Sequence, residues 1–152
     1  GNTIAGGYYN NEEASKAAID DEGYFGTGDV ASIDEQGFLR LTDRAKDLIK
    51  SGGEWISSID LENRAMSHPD VENCAVIAIP HEKWDERPLL VVVPVEGKKP
   101  SKEELIKHLE GHFAKWQMPD DVVYEDKLPL TATGKVSKLT LRQKYENYTL
   151  AS

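Results

Sequence analysis

The sequence predicts an α+β fold in which a self-contained domain follows a shorter N-terminal segment. From Asp43 onward, short continuous apolar runs alternate with helices that carry capping signals. The residues before Asp43 bury little apolar surface by themselves, and we expect them to be the end of a larger domain whose body lies upstream. The chain has no internal repeat and no low-complexity stretch.

The N-terminal segment contains three predicted elements. A short helix is expected from Asn11 to Ile19, with an asparagine as its cap. Two strands, Val30 to Ile33 and Phe38 to Leu41, flank residues 34–37, which have the composition of a hairpin turn. Glycines cluster between the helix and the first strand, where they allow a ligand to approach the backbone.

The self-contained domain begins with a second hairpin, predicted to turn at residues 51–54. A helix follows from a serine cap at Ser57 or Ser58 to about Ser67, and Pro69 ends it. We expect its buried side to carry four apolar residues: Ile59, Leu61, Ala65 and Met66.

The remaining elements alternate strands with helices. Residues 74–79 and 89–93 are apolar runs typical of strands covered on both faces, and residues 122–124 predict a further strand. Ser101 and Glu104 form a capping box, and Ser137 caps a last helix to about residue 145. The capping box precedes a helix whose predicted apolar face carries Leu105, Ile106, Leu109 and Phe113.

Composition excludes some partners. The formal net charge is −9, so a nucleic acid is not an expected partner, although local cations can hold a small anion. The single cysteine, Cys74, cannot form an internal disulfide and predicts a reducing, cytoplasmic setting. No apolar run reaches the length of a transmembrane helix, which leaves peripheral contact with a membrane open.

Three segments carry side chains suited to nucleotide chemistry, and each has a structural alternative. Asp29 follows two glycines and can accept ribose hydroxyls, or it is a plain turn acid. Arg44 precedes a glycine turn and can hold a phosphate or ribose, or it forms salt bridges in a solvated hairpin. Lys135 ends a hydroxyl-rich loop and can neutralise two anions that approach each other, or it is a surface lysine.

A metal site is not predicted. His108 and His112 have the spacing of two ligands on one helix turn, but the glutamate between them is displaced from the zinc-protease pattern. No third ligand is evident.

Together and in this order, the segments resemble the C-terminal part of the adenylate-forming superfamily, which includes acyl-CoA synthetases and peptide-synthetase adenylation domains. Residues 43–62 and 81–88 are most similar to medium- and long-chain fatty acyl-CoA synthetases. The resemblance implies a small C-terminal lid domain, with a short mixed sheet flanked by helices plus a β-hairpin. Residues 45–152 would form this lid, and residues 1–44 would end the N-terminal AMP-binding domain.

The resemblance also implies a two-step reaction. A fatty acid attacks ATP to give acyl-AMP and pyrophosphate, with Mg²⁺, and CoA then displaces AMP after the lid rotates. The phosphate loop, the Mg²⁺-binding glutamate and the acyl tunnel of relatives lie upstream, so the isolated chain is expected to be inactive. The alternatives are a peptide-synthetase adenylation domain, or a non-catalytic module that binds CoA or nucleotide or docks a protein.

Residue roles follow from the same resemblance. Lys135 would be the catalytic lysine between carboxylate and α-phosphate, Asp29 and Arg44 would bind the nucleotide, and Lys46 would be the hinge. Met118 and Asp120 stand where some relatives have basic residues, so the contacts to the CoA phosphates differ here. The residues expected to serve CoA in the second step are Lys50, Gly52, Gly53, Trp84 and Trp116. The alternative for the two tryptophans is that they simply pack within the domain.

Overall fold

In the computed structural model, which describes residue 3 and residues 5–150, the chain falls into two units. The first unit ends at Ala45 and the second begins at Lys46. Among the helices of the described residues, none has both the length and the apolar character needed to cross a membrane.

The first unit consists of one short helix and one hairpin. Helix α1 (Glu12–Ala18) has the predicted cap, because the side chain of Asn11 accepts a hydrogen bond from the amide of Ala14. Strands β1 (Asp29–Ile33) and β2 (Leu39–Arg44) pair antiparallel. Several large apolar side chains of this hairpin are more than 60% exposed, namely Ile33, Phe38, Leu39 and Leu41.

The second unit begins with a tight hairpin of β3 (Ile49–Ser51) and β4 (Glu54–Ile56), followed by α2 (Ser58–Met66). Two long strands, β5 (Val71–His81) and β6 (Asp85–Pro94), then pair antiparallel along nearly their whole length. The remaining elements are α3 (Lys102–Leu109), a 3₁₀ turn (Lys115–Gln117), β7 (Asp121–Tyr124) and α4 (Lys138–Lys144).

Strand β6 lies inside the sheet. Strand β5 pairs with one edge of β6, and the other edge pairs with β3 at Asp85 and in parallel with β7 from Leu89 to Val92. Both faces of β5 and β6 are buried, as predicted for continuous apolar runs. Helices α2 and α3 pack on one face and α4 packs on the other, with Leu61, Leu105 and Leu141 fully buried. The mixed sheet with flanking helices and hairpin confirms the predicted fold class.

Two details of the predicted helices are wrong. On α2, Leu61 and Ala65 are buried, but Ile59 and Met66 are 38% and 48% exposed, because they lie off the stripe that faces the sheet. Helix α3 ends at Leu109, so Phe113 reaches the same core from the loop beyond the helix. Gly111 lies in that loop with φ +79°, a conformation that does not continue a helix.

Candidate functional site

In the first unit, the two predicted nucleotide-binding side chains lie next to each other. Asp29 begins β1, Arg44 ends β2, and the two are cross-strand partners. The Nε of Arg44 lies 3.5 Å from Oδ1 of Asp29, and both side chains remain partly exposed. The amide of Asp29 donates to Oγ1 of Thr27, which fixes the backbone ahead of the carboxylate. The structure therefore offers a solvent-accessible carboxylate beside a cation, an arrangement able to bind a diol next to a phosphate.

Lys46, the predicted hinge, is the first residue of the second unit and lies in the turn between β2 and β3. Its side chain is exposed.

The glycine turn between β3 and β4 has strict backbone requirements. Gly52 and Gly53 have φ of +59° and +90°, the signs of a two-residue turn that favours glycine at both positions. A Cβ built on Gly52 would lie 2.8 Å from Cε3 of Trp84, whereas a Cβ on Gly53 would meet nothing within 4 Å. Gly52 is thus covered by an indole ring, and Gly53 has open space beside it.

The turn forms one wall of an aromatic cleft of about 330 Å³. Trp84 and Trp116 both line the cleft, and the two residues are 42% and 44% exposed. The amide of Gly52 donates to the carbonyl of Trp84 over 2.9 Å, which fixes the turn against this wall. The Nζ of Lys83 lies 4.7 Å from the centre of the Trp84 ring. The cleft therefore brings together three of the residues predicted for CoA.

The other residues predicted for the CoA step lie beside this cleft but do not line it. Lys50 is on β3 with an exposed side chain, and its amide donates to Oε2 of Glu86 over 2.8 Å. Gly53 is the outer residue of the turn.

Arg87 is the residue of the cleft that the sequence did not single out. Its side chain is 6% exposed, and it lies at the start of β6. Nε and Nη2 donate to the two carboxylate oxygens of Asp120 over 2.8 and 2.6 Å. The position of an arginine directly before a buried apolar run was the available signal, because such a residue needs a partner.

The same ion pair explains the acidic residue at position 120. Asp120 stands where a basic residue was expected from the resemblance, and it neutralises Arg87 within the cleft wall. The carbonyl of Met118 also accepts from Arg87, over 3.0 Å. Neither residue adds a cation to the cleft.

The loop of Lys135 lies elsewhere in the second unit and does not line the aromatic cleft. Residues 131–135 close a turn in which the amide of Thr131 donates to the carbonyl of Lys135 over 2.7 Å. Oγ1 of Thr131 accepts from the Lys135 amide, and Gly134 has φ +80°. The lysine side chain is exposed, and within residue 3 and residues 5–150 no carboxylate forms an ion pair with it.

His108 and Cys74 belong to residue types that are often reactive, but both have surroundings typical of a structural role. His108 bonds through Nε2 to Ser67 and to the carbonyl of Arg64, and His112 lies beyond the end of α3. Within the described part of the chain, no three His, Cys, Asp or Glu side chains are grouped to hold a metal. Burial, followed by the charge of Glu62, raises the pKa of the Cys74 thiol to about 12, so a reactive thiolate is not available at neutral pH.

Comparisons with known proteins agree on one family. Residues 60–135 match the family described as AMP-binding enzyme C-terminal domain. The chain is 58% identical over 146 residues to a long-chain-fatty-acid–CoA ligase of Thermus thermophilus, covering 95% of this chain and 27% of that protein. It is 43% identical over 152 residues to a medium-chain-fatty-acid–CoA ligase of Ectopseudomonas oleovorans, covering 100% of this chain and 27% of that protein.

A solved structure shows the same fold. The ATP-bound crystal structure of MatB from Rhodopseudomonas palustris superposes with a TM-score of 0.83 at 35% identity, covering 93% of this chain and 28% of that one. The chain therefore spans little more than a quarter of the length of each of these three proteins.

Proposed function

Because this chain belongs to the family of AMP-binding enzyme C-terminal domains, we propose that it is the lid of an ATP-dependent fatty acid–CoA ligase. The full-length enzyme would convert a fatty acid and ATP to acyl-AMP and pyrophosphate, and then transfer the acyl group to CoA. The observation that carries this proposal is the aromatic cleft, where Gly52, Trp84 and Trp116 meet although they are distant in sequence. Fatty acid as the substrate rests on the names of the relatives.

The first step needs a cation between two anions. The carboxylate of the fatty acid must approach the α-phosphate of ATP, and Lys135 has an exposed ammonium that can lie between them. Asp29 and Arg44 would hold the ribose and phosphate side of the nucleotide. Their ion pair keeps both groups oriented and accessible before the nucleotide binds.

The second step needs a path for a thiol and a surface for a nucleotide. The two indoles offer flat apolar faces on which the adenine of CoA can stack. The open space beside Gly53 would let the pantetheine arm pass without meeting a Cβ, and the exposed Lys50 lies on the strand that enters the same turn.

The two steps would use different faces of the second unit, because Lys135 does not line the aromatic cleft. We therefore propose that the lid rotates between the steps about Lys46. The division of the chain between Ala45 and Lys46 supports this position for the hinge. Hinge residues act by backbone torsion, so its exposed side chain needs no partner.

The remaining parts of the enzyme would lie upstream in its own N-terminal domain. Mg²⁺ is expected for the first step, but the described residues have no group of ligands that fits it, so we place its site outside them. The exposed apolar residues of the β1–β2 hairpin, such as Phe38 and Leu41, are a surface that the rest of that domain would cover. We propose a cytoplasmic location, with nucleic acid absent from the partners.

The alternatives are less well supported. A peptide-synthetase adenylation domain would act with a downstream carrier domain, and both curated relatives described above are named as CoA ligases. A non-catalytic binding module would need the aromatic cleft but not the exposed Lys135 in its hydroxyl-rich loop.

The test is acyl-CoA formation by the full-length protein that contains this chain, with ATP, Mg²⁺, CoA and fatty acids of increasing length. We expect AMP and acyl-CoA in equal amounts, and hydroxylamine should trap acyl-AMP when CoA is left out. The isolated 152-residue chain should release no pyrophosphate. Failure of the full-length protein to activate any carboxylate would favour the binding module.

A further inference from the structure

The guanidinium of Arg87 is fully occupied by other residues of the protein. Besides its two bonds to Asp120, Nη1 donates to Oγ of Ser51 over 2.9 Å and to the carbonyl of Trp116 over 2.6 Å. Nη2 also donates to the carbonyl of Met118 over 3.0 Å. These five bonds equal the number of N–H donors that an arginine has. Arg87 therefore cannot bind a ligand without giving up a bond to the protein.

The partners of Arg87 belong to segments of the cleft that are far apart in sequence. Ser51 directly precedes Gly52, whose amide is bonded to Trp84. The carbonyl of Trp116 belongs to the 3₁₀ turn after α3, far along the chain. One buried side chain thus connects the glycine turn with the second tryptophan.

We propose that Arg87 and Asp120 are a positioning pair for the CoA step. The pair would hold Trp116 at a fixed place relative to Trp84 and Gly52, so that CoA meets a preformed cleft. This inference rests on the proposed function. It adds two residues that serve the second step by holding the walls of the cleft in place.

The chemistry of the pair explains why an arginine is needed. A carboxylate and a guanidinium match in two parallel hydrogen bonds, which a lysine cannot form. A lysine at position 87 would keep the positive charge and one hydrogen bond. It would lose the hydrogen bond to at least one of the other partners, which are Ser51, Trp116 and Met118. Asp120 is also required, because a buried guanidinium without a counter-charge is strongly unfavourable.

The experiment compares Arg87→Lys with Arg64→Met in the full-length enzyme. Arg64 is a matched control, because its Nε also ties two elements together, donating to the carbonyl of His108 over 3.1 Å, and it does not line the cleft. For Arg87→Lys we expect KM for CoA to rise about tenfold, the scale of a small misplacement of a binding surface. KM for ATP and the pyrophosphate exchange rate, which report the first step, should stay at the wild-type values.

A second variant covers the case in which Arg87→Lys does not fold. Asp120→Glu keeps the counter-charge of Arg87 but displaces the carboxylate by one methylene, and the Asp120 side chain is 29% exposed, so the fold should tolerate the change. We expect a smaller rise in KM for CoA with the same unchanged first step. The indole N–H signal of Trp116 should also shift in the NMR spectrum, while that of Trp55, outside the cleft, stays in place.

The outcomes separate this inference from the proposed function. If the wild-type enzyme makes acyl-CoA and both variants keep its KM for CoA, the positioning role is wrong and the ligase remains. If both variants slow the two steps equally, the pair is merely structural. If the wild-type enzyme activates no carboxylate, the proposed function fails and this inference fails with it.

Discussion

Two lysines three positions apart, Lys135 and Lys138, have opposite surroundings. The ammonium of Lys138 donates to Oγ of Ser58 over 2.6 Å and lies 2.8 Å from Oε1 of Glu62, with a side chain only 14% exposed. Lys135 is exposed at the end of its loop, and within the described part of the chain its neighbours bond its backbone but not its ammonium. The two residues look alike in the sequence. In the structure, the charge of Lys138 is paired within the protein, whereas the charge of Lys135 is exposed to solvent and can meet a ligand.

The same contrast holds elsewhere in the second unit. Arg87 resembles Lys138, since all its donors bond to the protein, whereas Lys50 resembles Lys135 in having an exposed side chain. A cation whose bonds are used within the protein contributes to stability or to positioning. A cation whose donors are exposed to solvent can stabilise the negative charge that develops in a transition state.

The sharpest test of this contrast is Lys135→Ala in the full-length enzyme. If Lys135 is the proposed cation between the carboxylate and the α-phosphate, its loss should slow adenylation about 100- to 1000-fold. Thioester formation from pre-made acyl-AMP should continue, and the melting temperature should stay the same. Lys127→Ala, at another exposed lysine, is the control and should keep both activities. Equal losses in the two half-reactions would show that Lys135 is not specific to the first step.

The glycine turn offers a second contrast, between a covered and an open position. Gly52→Ala should destabilise the fold by about 2–4 kcal/mol, because its positive φ disfavours a side chain and the new Cβ would clash with Trp84. Gly53→Ala should cost only about 1–2 kcal/mol, from φ alone. Urea denaturation of the two variants measures the difference.

Activity separates the two glycines further. Gly53→Ala should slow thioester formation in the full-length enzyme more than it slows adenylation, because its Cβ would enter the path proposed for the thiol. A larger stability loss for Gly53→Ala than for Gly52→Ala would contradict the covered and open assignments.

Lys138→Met should have the effects opposite to those of Lys135→Ala. Removing the ammonium breaks its ion pair with the mostly buried carboxylate of Glu62 and its hydrogen bond to Ser58, and the free energy of unfolding should fall by about 2–3 kcal/mol. The rate of adenylation by the folded enzyme should not change. Lys98→Met is the control: this lysine is 57% exposed and pairs with Asp70 at 3.5 Å, and its loss should cost less than about 0.5 kcal/mol.

The smallest expected effect concerns His108, whose surroundings disfavour a charge. Burial, together with the nearby Arg64 and His68, lowers the pKa of His108 below its ordinary value of 6.5. The unfolded chain therefore binds a proton more readily than the native protein does, and stability should fall as the pH drops through 6.5 towards the lower native pKa.

Urea midpoints at pH 7.5 and pH 5.5 measure this effect, and His108→Gln should reduce the difference between them. Burial raises the pKa of Asp121, but its hydrogen bonds to Lys102 and Tyr148 outweigh this and hold the pKa below its ordinary value. A hydrogen bond to Lys144 lowers the pKa of Glu125 in the same direction. The contributions of these two carboxylates to stability are therefore lost only at more acidic pH. An unchanged pH dependence in His108→Gln would assign the effect to another group.

Most of the fold could be predicted, because local chemistry determines it. The caps at Asn11, Ser57, Ser101 and Ser137 all accept the expected backbone hydrogen bonds. The length of the β5–β6 hairpin could not be predicted, because its turn residues 82–84 are polar or aromatic and give no hairpin signal. Asp85, which follows them, has φ +65°, an unusual conformation for a residue other than glycine.

The site could be predicted only in part. Asp29, Arg44, Lys135 and the two glycines stand in motifs of residues close in sequence, so the sequence alone identifies them as candidates. The partner of Arg87 is separated from it by 33 positions, and the pairing depends on how β7 enters the sheet. Sequence spacing does not reveal such a contact.

The two edges of β6 also suggest an order of folding. The edge facing β5 is closed by a short local turn, so this ladder can form early at a small entropic cost. The other edge of β6 is completed by pairing with β7. Because α3 and the 3₁₀ turn separate these two strands in the sequence, we expect this pairing to form later. The bonds of Arg87 to residues 116–120 belong to this late event. We therefore expect Trp84 and Trp116 to come together in the cleft only after β7 has joined the sheet.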